Sequence, residues 1–236
     1  MLQTRELWLN VMKTVFVRLV ALAFVLTAAT PVSEPLRDRI IADARAVPPA
    51  SLIFDRTTNL EKKGGGSTTK VVLVERWDGQ TWTLLSKNGK LPSASERRDV
   101  EKLAAASPVP GYHRLASLLA AATEVGTDAD GHMVLRIPVL PPGSVRTDSS
   151  DISSHLRAEA VVSNRGGQPW VERVHVSQRE PFKMNALIKV KTFDQISTYR
   201  LDAGGHPRLA RQSADSMGSM FGFSGGQSSE TVYTYR

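Results

Sequence analysis

The sequence predicts a mainly β protein with a few helices: a curled antiparallel sheet, or half-open barrel, with an N-terminal helix and two helices inserted between strands. Three observations predict it. Period-two alternation punctuated by turn residues recurs from Ser51 to the last residue, whereas helical periodicity is confined to a segment before Ser51 and one near the middle. About ten strand candidates follow one another through short loops, which implies antiparallel pairing and is too many for a small flat sheet, so the sheet has to curl or partly close.

Taken in order, residues 35–47 place Leu36, Ile40, Ile41 and Ala44 on one helical face, and Pro48 and Pro49 stop the helix. A Gly-rich turn over 62–67 precedes an apolar, β-branched run over 71–77. Asp78-Gly79 turns the chain, and 82–86 returns as a strand. That hairpin sets Trp77 against Trp82 on a face shared with Leu73, Glu75 and Leu84. Asn88-Gly89 closes it. Ser93 and Glu96 have the spacing of a capping box, predicting a helix to about Ala106. Pro108 to Gly111 breaks it, and Leu115, Leu118, Leu119 and Ala122 predict a second helix over 112–125. Strands are expected at 133–139, 156–163, 170–178, 186–193, 197–201, 208–213 and 231–235.

Length and composition fit one globular unit. The chain has 236 residues, enough to bury a core without a metal or disulfide, and 41% hydrophobic and 22% charged residues are ordinary globular usage. With no cysteine, disulfides, thiolate metal sites and cysteine nucleophiles are excluded. From Met12, a basic stretch holding Lys13 and Arg18, an apolar run from Leu19 to Leu26 and the small residues Thr27 to Ala29 have the order of an export signal, too short to span a bilayer. The expected division is therefore a signal peptide at 1–29, cleaved near Ala29, and a single β-rich domain at 30–236, delivered to the periplasm. Losing Arg5, Lys13, Arg18 and Glu6 lowers the formal charge by two, from +7 to +5. A basic exterior favours anionic membrane surfaces; export and the dispersion of the charge argue against nucleic acid.

The chemical motifs mostly dissolve. Gly222 to Gly226 fits Gly-x-Ser-x-Gly, but only ten residues follow and none is a histidine, so a glycine-rich hairpin is expected instead of a nucleophile elbow. The histidines at 113, 132, 155, 175 and 206 lack ligand spacing, and Asp128-Ala-Asp-Gly131 lacks the glutamate that would complete a calcium loop. Gly64 to Ser67 lacks the phosphate-loop spacing. The reading is a protein that is not an enzyme, with no cofactor and no metal.

The order helix, curled strands, two helices, more strands, behind an export signal, resembles the periplasmic lipoprotein carriers of the LolA/LolB type. The run from Glu75 to Ser86, continuing over Asn88 to Pro92, is similar to stretches in exported proteins assigned that fold. The resemblance spans most of the mature chain in architecture and rests on no diagnostic motif. It implies an apolar concave face that holds lipoprotein acyl chains, with residues 93–125 as a lid; no individual contact residue is carried over.

Together these readings point to an envelope protein that binds or carries an apolar ligand, lipid or acyl chains, in a concave sheet. The alternative is a non-enzymatic envelope interaction module with a filled interior. Ligand contacts are expected from the bulky apolar residues Trp77, Trp82, Leu84, Trp170, Phe182, Met184, Phe221 and Phe223, which offer most contact area. Met217, Met220, Phe221 and Phe223, set among Gly and Ser before the last strand, are candidates for a greasy opening or for core.

Overall fold

Turn chemistry and alternation organise the chain into hairpins. The computed structural model describes residues 30–31, 34–147, 150–184, 187–220 and 222–236. The export segment expected at 1–29 lies outside the described residues, as does Phe221. After β1 (Thr30–Pro31) and α1 (Glu34–Arg45) come β2 (Phe54–Gly64), β3 (Ser67–Trp77) and β4 (Trp82–Lys87). Gly65 and Gly66, both at positive φ, make the two-residue turn between β2 and β3, a conformation open to glycine and strained for most other residues. Then follow α2 (Ala94–Ala105), a 3₁₀ turn (Tyr112–Arg114) running into α3 (Leu115–Ala120), β5 (Glu124–Thr127) and β6 (Met133–Ile137). The second half holds β7 (Leu156–Arg165), β8 (Gln168–Gln178), β9 (Phe182–Lys183), β10 (Ile188–Leu201), β11 (Pro207–Met220) and β12 (Phe223–Tyr235).

Among the described residues these strands form one antiparallel, unclosed sheet in the order β1-β5-β6-β7-β8-β10-β11-β12-β2-β3-β4, with β9 paired beside β10. The chain's early hairpin is the last part of the sheet: β2 docks on β12 from Phe54 against Tyr235 to Gly64 against Gly225. A sheet of this length curls, and two register shifts between β10 and β11, with Lys191 extra in β10 and Ala210 extra in β11, sharpen the bend. The mainly β, curled antiparallel class with an N-terminal helix and two inserted helices is the observed one.

The helices lie against one face. Ile40, Ile41 and Ala44 of α1 are buried against α3 and β8, as their spacing requires. Ser93 accepts from the Glu96 N–H while the Glu96 carboxylate accepts from the Ser93 N–H, closing the expected capping box on α2, which leans on β4. A single cluster then joins residues from both ends of the sheet, among them Phe54, Trp82, Leu135, Leu156, Val171, Tyr199 and Leu209.

Two expectations fail on length. The helix expected over 112–125 ends at Ala120, because the β-branched Thr123, Val125 and Thr127 continue into β5, where pairing with β6 supplies the hydrogen bonds a helix would have made. The strands expected at 186–193 and 197–201 are one 14-residue strand, β10, and those at 208–213 and 231–235 extend to Met220 and back to Phe223. Runs of Ser, Gly, Gln and Asp carry little strand propensity of their own; their neighbours' ladders hold them extended.

Candidate functional site

The inner face begins with a filled end. Trp77 and Trp82 pair in register with ring centroids 5.5 Å apart, and Phe54 meets Trp82, Tyr233 and Tyr235 at 5.4 to 5.6 Å. Glu75, only 3% exposed, accepts two hydrogen bonds of 2.8 Å from Arg56, whose guanidinium lies 3.9 Å over the Trp82 ring. Both charges of this pair are satisfied, as burial demands.

Next to this end a cavity of about 480 Å³ opens between the sheet and its cover. The floor is Val174 and Val176 of β8, Gln195, Ser197 and Tyr199 of β10, Leu209 and Gln212 of β11, Arg56 and Tyr233. The roof is the end of α2 at Leu103, the segment 106–111, Arg114 to Leu118, and the segment 140–147 that follows β6. The expected lid, 93–125, supplies most of that roof; the 140–147 segment was not foreseen.

The cover is fastened at identifiable points. Where β7 and β8 shift register beside Glu172, the Val171 N–H is freed from the ladder and donates to the Tyr112 hydroxyl at 3.0 Å. Tyr112 packs edge-on against Tyr199 at 5.3 Å, and burial pushes its phenol up to about 12. Arg114 donates to the Ser144 carbonyl at 3.0 Å, tying the two roof segments together.

The polar part of the lining is one-sided. Arg56, Arg114 and Arg146 line the cavity, and among the described residues no aspartate or glutamate does. Arg56 is neutralised by Glu75. Arg114 is half-buried with no carboxylate within ion-pairing distance among the described residues, and burial lowers its proton affinity from the ordinary value. On the floor, Gln212 donates to the Ser197 hydroxyl at 3.1 Å, leaving the Ser197 proton free to point elsewhere.

The residues expected to touch ligand are scattered. Trp77, Trp82 and Leu84 are buried in the aromatic end, with the Trp77 indole donating to the Pro49 carbonyl. Phe182 is buried and stacks on His155 at 4.3 Å; Met184 packs beside the core, partly buried. Trp170 lines a different depression of about 600 Å³ under α1, whose walls are the polar turn residues around Asp202 to Gly205 and Arg165 to Gln168, with little apolar surface. Phe223 is 75% exposed at the far end of the sheet, and Phe221 lies outside the described residues. None of the described ones lines the 480 Å³ cavity. Its polar lining residues, Arg56, Arg114, Gln195, Ser197 and Gln212, come from four separate segments of the chain, so no local signal marks them as one site.

Two rejected motifs also have definite places. Ser224 of the Gly-x-Ser-x-Gly run is in the β11–β12 hairpin opposite Ser219. Asp128, Asp130 and His132 lie close together on an exposed turn, where the Asp128 carboxylate accepts from the Asp130 and His132 N–H groups. Comparison of the chain with protein-family models, curated proteins and solved structures found no match.

Proposed function

We propose that this is an exported, periplasmic envelope protein that binds or carries an apolar ligand, lipid or lipoprotein acyl chains, against the inner face of its curled sheet. The observation that carries the proposal is the half-open cavity of about 480 Å³ beneath the helices, within the roughly 300–1,000 Å³ of ordinary ligand sites and lined by a mixture of polar and hydrocarbon groups. Its hydrocarbon walls, Leu103, Leu115, Leu118, Leu140, Val174, Val176 and Leu209, come from roof and floor alike. A likeness to LolA/LolB-type carriers is part of the proposal, and the curled antiparallel sheet with its inserted helices supports it. The site works by burial and shape, with no covalent step.

Organic extraction of the purified full chain followed by mass spectrometry tests it. Co-purifying lipid, and a change in tryptophan emission on adding acyl ligands, is the expected result, since Trp82 stacks on cavity-lining Arg56. Absence of both defeats the proposal.

A second reading, an envelope interaction module docking on an anionic membrane surface, is favoured by the opposite end of the sheet. Phe223, Met217 and Leu187 are 75%, 54% and 51% exposed there, near Lys62, Lys183 and Lys189. Apolar residues within a lysine fringe suit the headgroup boundary of an anionic bilayer. Co-sedimentation with phosphatidylglycerol vesicles, weakened by Phe223→Ser, is the expected outcome; equal binding to phosphatidylcholine vesicles removes this reading.

A further inference from the structure

The cavity's charge is as informative as its walls. Arg114 is half-buried in the cavity wall, and the Ser144 carbonyl is the one acceptor that its five N–H donors find among the described residues, so the others have only solvent or a ligand to turn to. Arg56 has a carboxylate partner in Glu75, whereas Arg114 has none within ion-pairing distance among the described residues. Arg146, exposed at the rim, adds charge of the same sign, with Asp151 within electrostatic reach of it, and the Ser197 hydroxyl on the floor accepts from Gln212 and has no acceptor for its own proton among the described residues. A group carrying acidic oxygens supplies what is missing, since a guanidinium pairs with carboxylate or phosphate through two parallel hydrogen bonds.

We infer that the ligand is an anionic amphiphile, its acidic end held by Arg114 and its hydrocarbon part lying against Leu118, Leu140 and Leu209. This rests on the carrier reading and specifies its ligand class. Carboxylate and phosphate heads share the chemistry, so a fatty acid and a phosphorylated lipid are separated by measurement.

Calorimetric titration of the full chain with dodecanoate and dodecyl phosphate, each below its micelle concentration, and with dodecanol below its solubility limit, separates the cases. The expected result is that at least one anion binds about tenfold or more tightly than the alcohol, the size of one charge-assisted hydrogen bond. Arg114→Gln removes that advantage, lowering the affinity for the preferred anion by more than it lowers the affinity for dodecanol. The anion preferred identifies the head group. Equal binding of alcohol and anions to the unmodified chain overturns the inference while the carrier reading stands; failure of all three to bind takes the carrier reading down with it. If Arg114→Gln does not fold, the preference in the unmodified chain and its weakening with added salt still decide, because an advantage that ignores salt is not ionic.

Discussion

The same strands pass through two environments. At one end, β10, β11, β12, β2 and β3 present Tyr199, Leu209, Tyr233, Phe54 and Trp77, all at most 8% exposed beneath helices or one another. At the other end they carry Gly218, Gly225, Gly64, Lys62 and an exposed Phe223, and no helix covers them among the described residues. The pairing of β11, β12, β2 and β3 continues without a register shift from one end to the other. Backbone pairing is thus common to both ends, and side-chain burial separates a stability core from a free surface. The cavity borders the buried end, with Tyr199, Leu209 and Tyr233 in its lining, where the cover is present but does not fill the space.

The sharpest test of this division is Phe54→Ala. Phe54 is fully buried among three aromatic rings, and its loss is expected to destabilise the fold by about 3–5 kcal/mol in urea unfolding. A value near zero would show that the aromatic end is not the core. Glu75→Gln comes next, at about 3 kcal/mol, because it strands the Arg56 charge under Trp82. Adding Arg56→Met should restore part of the loss; a strictly additive double mutant would mean the pair is not coupled.

A smaller effect comes from the outer face of the same hairpin. Ion pairing and hydrogen bonding from Arg76, joined by Arg236, hold the Asp55 carboxyl at about 2 against an ordinary 3.8. A carboxyl depressed in the folded state stabilises above the unfolded value, and that contribution is lost as pH falls from about 4 towards 2. After allowance for partial exposure it is about 1 kcal/mol at neutral pH, and Asp55→Asn should remove it and flatten the acid limb of stability over that window. An unchanged acid limb would place the acid sensitivity elsewhere. Smallest of all is Phe223→Ser at the open end, expected below about 0.5 kcal/mol in stability. A larger loss would show that Phe223 packs against something in solution.

Local signals located much of the fold. The Ser93/Glu96 capping box, the Gly65-Gly66 turn and the Trp77–Trp82 pair need only neighbours within a few residues, and each formed as read. The segment 121–127 misled because Ala122 fits a helical face, yet the strand partner that captures Thr123 to Thr127 is β6. The candidate site was far less legible. Bulky apolar side chains were expected at the ligand, but such residues are the ones that fill a core most favourably, and Trp77, Trp82, Leu84 and Phe182 did so.

What the sequence determined alone is the alternation, the turns and the caps, because each depends on chemistry between residues a few positions apart. Which strands became neighbours is a different matter. That Phe54 pairs with Tyr235, that Arg56 finds Glu75 while Arg114 finds no acid among the described residues, and that a space remains under 106–118 and 140–147 are consequences of how the sheet curls. Curling is a sum over every strand and bulge, and it brings together side chains whose separation along the chain carries no trace of their meeting.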